Sequence, residues 1–255
     1  MFSRAILAWC HAELGVFAEG SVLGEEGLQI AETLAHRVSF IWPYYGIGMI
    51  YLCQGDLRKA IPQLERAVSI CHELDLPAYF PRIAAALGAA YTLDRRITDA
   101  VPLLTRTLEQ CRAQERAYLE TLCSLPLGEA HMLAGRLEEA YTFAERALIL
   151  AREYQGRSHQ AYALRLLGDI AARRDPPEGD PAEVHYRQAL ALAAELGMRP
   201  LQAHCHRGLG TLYATIGQQE RARTELSATI VLYRAMDMTF WLPQTETVLA
   251  QVEEQ

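Results

Sequence analysis

The segment GIGMIYLCQGDLRKAIPQLERAV, residues 46–68, holds the pattern that decides the fold. Apolar Ile47 and small Gly48 are followed three residues later by Tyr51, and Gly55 then opens a turn. Ala60 follows Gly48 by twelve residues, and Ala67 follows Ala60 by seven. The set recurs along the chain. Small residues stand at Ala8, Gly48, Gly88, Gly128, Gly168 and Gly210, and again at Gly20, Ala60, Ala100, Ala140, Ala182 and Ala222. Spacings in the second set are 40, 40, 40, 42 and 40 residues. A period of this size predicts stacked supersecondary units, each burying its apolar face against its neighbours. Such an array offers a binding surface rather than an enzyme pocket.

Each unit reads as two helices. In blocks starting at Met1, Ile41, Pro81, Thr121, Ala161 and Ala203, position 7 is apolar: Leu7, Ile47, Leu87, Leu127, Leu167 and Leu209. Position 11 carries His11, Tyr51, Tyr91, His131, Ala171 and Tyr213, which keeps one helix face apolar. Glycine within a helix costs about 1 kcal/mol relative to alanine. Its recurrence at position 8 predicts that another backbone comes close there. Gly15, Gly55, Gly135 and Gly217 mark the turn, with Arg95 as the exception. Small residues seven apart in the second helix let the pair approach closely. Pro62 and Pro102 are expected near the start of that helix, where a missing N–H is tolerated. The predicted repeats are residues 1–40, 41–80, 81–120, 121–160, 161–202 and 203–242, with a terminal helix over 243–255.

Departures from the period are also legible. Gly20, Gly24 and Gly27 line one face of the first unit's second helix, as very close packing or as a deformable edge. The turn from Arg173 to Pro181 is proline-rich and predicted to protrude. Pro126 is expected to kink its helix. The start of the array has no polar cap. Phe2, Ile6 and Trp9 therefore read as an apolar N-terminal face for self-association or for packing of an upstream domain.

Composition narrows the function. The 255 residues carry a net charge of −7, which disfavours nucleic acid and anionic membrane as partners. No apolar run is long enough to span a bilayer, and the N-terminus lacks a signal-peptide pattern, so a cytoplasmic location is expected. Six cysteines form no CxxC pair. Cys71 and Cys111 share one repeat position and Cys123 and Cys205 another, as buried small residues would. His204 and His206 are two apart on a helix and point to different faces, so they cannot readily share an ion. Gly46-Ile47-Gly48 and Gly208-Leu209-Gly210 lack the preceding strand of a phosphate loop. No nucleophile has a recognisable base. His11 and His131 read as packed core histidines. The expectation is no catalytic residue, no metal and no cofactor.

The paired anchors, L-G-x-x-Y in the first helix and alanine near position 20, resemble the tetratricopeptide repeat. The resemblance implies an all-α, right-handed superhelix of six helix-turn-helix repeats plus a C-terminal capping helix. The usual unit is about 34 residues, so helices longer by about a turn are expected. It further implies a protein-interaction scaffold that holds a protein or peptide in its concave groove. In the family that groove is lined by positions 2, 5, 9, 12 and 13 of the first helix. Those positions give an aromatic half, Trp9, Trp42, Tyr45 and Met49, then Arg82, Leu122 and Leu125. They give a charged half of Glu129, Tyr162, Arg165, Asp169, Arg173, His204 and Arg207. The arginines can grip a ligand carboxylate or pair with Asp169 and Glu129 in a ladder. The clamp that some such repeats use for chaperone tails needs lysine and asparagine. This chain has no asparagine, and its single lysine, Lys59, is misplaced. The stretches HYRQALALAAELGMRPLQAHCHRGLGTLY (185–213) and YRAMDMTFWLP (233–243) resemble the C-terminal repeats of bacterial class III nucleotidyl cyclase–AAA ATPase signalling proteins. That resemblance implies a regulatory or partner-sensing tail.

Overall fold

The computed structural model describes residues 2–254, and thirteen α-helices account for most of them. They are α1 (Phe2–Leu14), α2 (Phe17–Leu34), α3 (Ile41–Gln54), α4 (Leu57–Glu73), α5 (Phe80–Leu93), α6 (Ile97–Ala113) and α7 (Ala117–Leu133). There follow α8 (Leu137–Glu153), α9 (Arg157–Ala172), α10 (Gly179–Glu195), α11 (Arg199–Thr215), α12 (Gln219–Ala235) and α13 (Leu242–Glu253). Consecutive helices pack as six pairs, and α13 lies on α12. The described residues include no strand. No helix among them is long and apolar enough to cross a membrane.

The turns follow from backbone sterics. Within five of the six pairs the chain reverses through one left-handed residue: Gly15, Gly55, Gly135 and Gly217 at φ 73°, 86°, 77° and 77°, and Arg95 at φ 63°. Glycine has no Cβ to clash there, whereas other L-residues pay about 1–2 kcal/mol. Part of that cost should be recoverable at Arg95, whose side chain is exposed. Arg95→Gly is expected to raise stability by about 0.5–1 kcal/mol, read as a higher urea midpoint. A lower midpoint would contradict the strain at this turn.

The position-8 glycines are packing sites, chiefly for side chains, with the expected close backbone at Gly128 (Ala140 O) and Gly210 (Leu226 N). The place where a Cβ would sit is filled by Leu64 at Gly48, Leu104 at Gly88, Tyr186 at Gly168 and Leu226 at Gly210. Each of these stands four residues after the small anchor of the second helix. In the fourth repeat that position is Ala144, and Leu166 of α9 fills the gap at Gly128 instead. The glycine stripe of α2 is close-packed: Ile50 sits over Gly20 and Ile47 over Gly24. All three glycines are buried.

Helix lengths shift the repeat phase. α1, α3 and α5 have 13, 14 and 14 residues, whereas α7, α9 and α11 have 17, 16 and 17. The extra turn is at the N-terminus, so α7, α9 and α11 begin four residues before the blocks written from Thr121, Ala161 and Ala203. Pro62 and Pro102 are each the sixth residue of their helices, deeper than expected. α7 continues through Pro126.

The first helices of the pairs stand side by side in the order α1, α3, α5, α7, α9, α11, and α11 returns to α1. The array therefore closes into a ring. At the seam Ala8, Ala12 and Phe17 share a core with Ala203, Tyr233, Met236, Met238 and Trp241. Met236 and Pro200 cover Gly15, Phe240 and Trp241 cover Gly55, and Leu14 covers Gly197. Gln54 Nε2 donates to Asp237 Oδ2 at 3.4 Å across the same seam.

Closure covers part of the apolar N-terminal face. Trp9 turns inward to Tyr45, with ring centroids 6.2 Å apart. Ile6 is half-buried, and Phe2 packs edge-on against Trp42 at 4.9 Å. The apolar side chains left in solvent by this pair are Phe2, Leu7, Leu14, Val22, Ile30 and Leu34. Leu7 is 46% exposed although it holds the position-7 anchor. In the second repeat that anchor, Ile47, packs on the preceding pair at Gly24. Among the described residues no pair precedes α1.

Candidate ligand-binding cavity

The inner face of the ring lines a cavity of about 600 Å³ that opens to solvent. Thirteen of the fourteen residues predicted to face the groove line it: Trp9, Tyr45, Met49, Arg82, Leu122, Leu125, Glu129, Tyr162, Arg165, Asp169, Arg173, His204 and Arg207. Trp42 does not. It packs edge-on between Phe2, Tyr45 and Tyr79. The aromatic and charged halves are not opposite ends of an open groove, because closure brings them together. Tyr162 of α9 donates its hydroxyl to Glu13 of α1 at 2.6 Å.

The charged wall has one neutralised centre. Arg165 is ion-paired with both Asp169 and Glu129. Tyr186 donates to Asp169 at 2.7 Å. Burial opposes the guanidinium charge, but the two carboxylates outweigh it and hold the Arg165 pKa above its usual range. The ladder stops there. Arg173 points a terminal nitrogen at Met132 Sδ, 2.9 Å away, rather than at Asp169. His204 Nδ1 lies 2.7 Å from the Tyr233 hydroxyl, with its ring 4.7 Å from that of Trp241. Burial, then Arg207 and Arg165, push its pKa well below the ordinary histidine value, so it is neutral. His206 faces away from it, 2.5 Å from Glu225.

The aromatic wall surrounds Arg82. Its guanidinium carbon is 5.2 Å from the Trp9 ring centroid and 5.7 Å from that of Tyr118. Its Nη1 is buried and has no hydrogen-bond partner. Burial raises Tyr45 to about 12 despite the nearby Arg82. Burial likewise pushes Cys53 up, with Glu13 adding to it. Glu13 is also raised by burial, against the hydrogen bonds from Tyr162 and Trp9. These groups are thus shifted toward their neutral forms. Besides its arginines the wall carries the carboxylates of Asp94, Glu129 and Asp169.

His159, on the first turn of α9, makes the same point quantitatively. Burial and then Arg82 lower its pKa from 6.5 to about 4. The folded state therefore binds fewer protons than the unfolded chain between those two values, so stability is retained above pH 6.5 and lost as pH falls toward 4. The full loss is about 3 kcal/mol. His159→Gln should remove most of this slope between pH 6.5 and 4 in urea titrations. An unchanged slope would mean that His159 is solvated.

Sequence reasoning missed Glu13, Cys53, His159, Phe240, Trp241 and Gln244, which also line the cavity. Glu13 and Cys53 hold position 13 of their blocks, so the lining rule already covered them. His159 falls in the extra turn that the block boundary at 161 cut off. Phe240 and Trp241, at the end of the sixth repeat, and Gln244, in the terminal helix, hold no groove position and arrive only through closure.

Residues 43–71 match the tetratricopeptide repeat model. The 43 kDa receptor-associated protein of the synapse from Tetronarce californica is 24% identical over 206 residues, covering 78% of this chain and 48% of that protein. The chain therefore spans about half the length of that curated relative. Among solved structures, a Rap protein complexed with Competence and Sporulation Factor superposes with a TM-score of 0.72 at 13% identity, covering 99% of this chain and 74% of that one. BtubC from P. vanneervenii superposes with a TM-score of 0.58 at 18% identity, covering 89% and 92%. The chain is thus a helical repeat array of six helix pairs, one segment of which, residues 43–71, matches the tetratricopeptide repeat model.

Proposed function

We propose that this chain is a protein-interaction scaffold that binds a peptide or partner segment inside its ring, as a cytoplasmic regulatory region of a larger bacterial signalling protein. The observation carrying this reading is the convergence of groove positions from all six repeats on one cavity with aromatic walls and several arginines, among them Arg82, whose buried Nη1 lacks a hydrogen-bond partner. Aromatic and arginine side chains in desolvated pockets are the usual energetic anchors of recognition. The similar Rap structure was solved with a factor bound, which favours a binding role for the shared architecture.

A second reading, a ligand- or domain-sensing tail that controls an attached cyclase or ATPase, is favoured by the seam. Glu13 and Trp241 line the cavity and also join its two ends. Occupancy could then be relayed to the outer surface as a population shift between closed and open rings.

A photo-crosslinking amino acid at Met49 or Leu125, on the cavity wall, tests interior binding against the same group at Val231, which is 67% exposed. Partner adducts are expected at the two wall positions. Adducts at Val231 alone would place recognition on the outside and overturn the reading.

A further inference from the structure

Two thiols meet in the core between the third and fourth repeats. Cys111 is the fifteenth residue of α6 and Cys123 the seventh of α7, and these helices pack on each other. Both side chains are fully buried, in one cluster with Leu104, Leu108, Leu119 and Leu127. Their thiols are hydrogen-bonded to each other. Neither lines the cavity. Packing does not call for two sulfurs here. The same two repeat positions, twelve residues apart, hold Ala151 with Ala163 and Ala193 with Cys205, all of them buried.

The surroundings divide the roles of the two sulfurs. The hydrogen bond with Cys123 lowers the Cys111 pKa against its burial, and Arg116 lowers it further. The same hydrogen bond, with burial, holds Cys123 well above the ordinary thiol value. One member therefore favours the thiolate, the nucleophilic form, while the other keeps its proton. Access comes from the turn after α6, which is exposed from Arg112 to Glu115. Glu115 is left-handed at φ 53° without being glycine. Local opening at such a turn does not require the array to unfold, and hydrogen peroxide is small enough to enter. Thiols already in hydrogen-bond contact can reach each other by side-chain rotation.

We propose that Cys111 and Cys123 are a redox pair that hydrogen peroxide converts to a reversible disulfide joining α6 to α7. The Cys111 thiolate attacks the peroxide. An S–O bond forms, the O–O bond breaks, and the departing hydroxide takes up a proton to become water. The Cys123 sulfur then attacks that of Cys111. The S–S bond forms, the S–O bond breaks, and the hydroxyl leaves with the Cys123 proton as a second water. Two thiols are oxidised and one peroxide is reduced. The product ties the third repeat to the fourth through α7, which also carries Leu122, Leu125 and Glu129 to the cavity. In a cytoplasmic chain such a bond is transient and redox-sensing. The pair stands whatever the cavity binds.

The test treats the full chain with hydrogen peroxide, blocks remaining thiols with N-ethylmaleimide in denaturant, and digests with trypsin. Cleavage after Arg106, Arg112, Arg116 and Arg136 puts the two cysteines on separate peptides, 107–112 and 117–136, which stay joined only through the disulfide. Mass spectrometry should find that joined species in roughly tenfold or greater yield over any other cysteine pair, and dithiothreitol should release it. The oxidised chain should keep its helical circular dichroism and unfold at a higher urea concentration than the reduced chain. Cys123→Ala should abolish the joined species and leave Cys111 to be trapped by dimedone as a sulfenic acid. Alanine already fills the equivalent position at Ala163. If that variant does not fold, Cys111→Ala, matching Ala151, carries the comparison, again with no joined species. Maleimide on both Cys111 and Cys123 after peroxide has oxidised the exposed Cys10 would overturn the proposal. So would pairs with Cys10 or Cys53 in equal yield, no dimedone adduct in folded Cys123→Ala, or a lower urea midpoint for the oxidised chain.

Discussion

Trp241→Ala is expected to destabilise the protein by about 3–5 kcal/mol, the cost of truncating a large buried aromatic side chain, and to loosen the ring. Trp241 is 6% exposed and stands at the end of the sixth repeat. Its ring stacks on Tyr233 at 5.8 Å and meets His204 and Phe240 edge-on at 4.7 and 5.2 Å. It also covers Gly55, the turn between α3 and α4, and so ties the C-terminal segment to the second repeat. Removing it leaves a void between the cavity and the seam. The loss should appear as a lower guanidinium midpoint, and the loosening as a larger radius of gyration in X-ray scattering. A variant as stable and as compact as the parent would show that the seam contributes little.

The second large effect concerns Arg165. Arg165→Ala would leave Glu129 and Asp169 facing each other on a desolvated wall, a loss of about 3–5 kcal/mol for removing one member of a buried ion network. The cost comes from the uncompensated carboxylates rather than from the worth of the network. Arg165→Met combined with Glu129→Gln and Asp169→Asn should therefore be much less damaging than Arg165→Ala alone. Asp169 would still have a neutral acceptor to offer Tyr186. Denaturant titration of the single and triple variants decides this. Equal losses would mean that Arg165 acts through packing of its aliphatic stem. If Arg165→Ala cost no more than an exposed arginine such as Arg223, within about 0.5 kcal/mol, the network would be solvated. Arg165 is thus a structural group, and its loss would report on folding before it reported on any ligand.

These two sites also show what the sequence could and could not reveal. The helix pairs were legible because sterics mark them locally. Gly15, Gly55, Gly135 and Gly217 stand at left-handed turns, and the position-8 glycines accept a side chain from a helix at a fixed offset. The lining of the cavity was legible through the family resemblance, whose groove positions, carried onto the period, give thirteen of its residues. The pairing of Arg165 with Asp169 followed from their four-residue spacing, but Glu129 arrives from another helix. Arg173, equally spaced from Asp169, turned away to Met132. Spacing gives adjacency on a helix, not which of several neighbours a long side chain chooses. The phase of α7, α9 and α11 was misread because the extra turn lies before the anchors, where no small residue marks it. Closure was not legible at all. It depends on the accumulated curvature of six pairs, and it joins residues such as Ala12 and Met236 that share no repeat position. Those residues read only as parts of an irregular first unit and of the last repeat.

Closure of the ring is therefore the central structural claim, and a thiol cross-link across the seam tests it most directly. Gln54→Cys and Asp237→Cys, in a background with Cys10→Ser and Cys53→Ser, put two thiols where the parent side chains meet at 3.4 Å. A short bis-maleimide should join them rapidly and nearly completely within single molecules in solution. Gln54→Cys paired with Arg223→Cys, on the outer helix, should not react this way. A seam pair that cross-links no faster than this control would mean that the array is open, and that the cavity described here does not persist in solution.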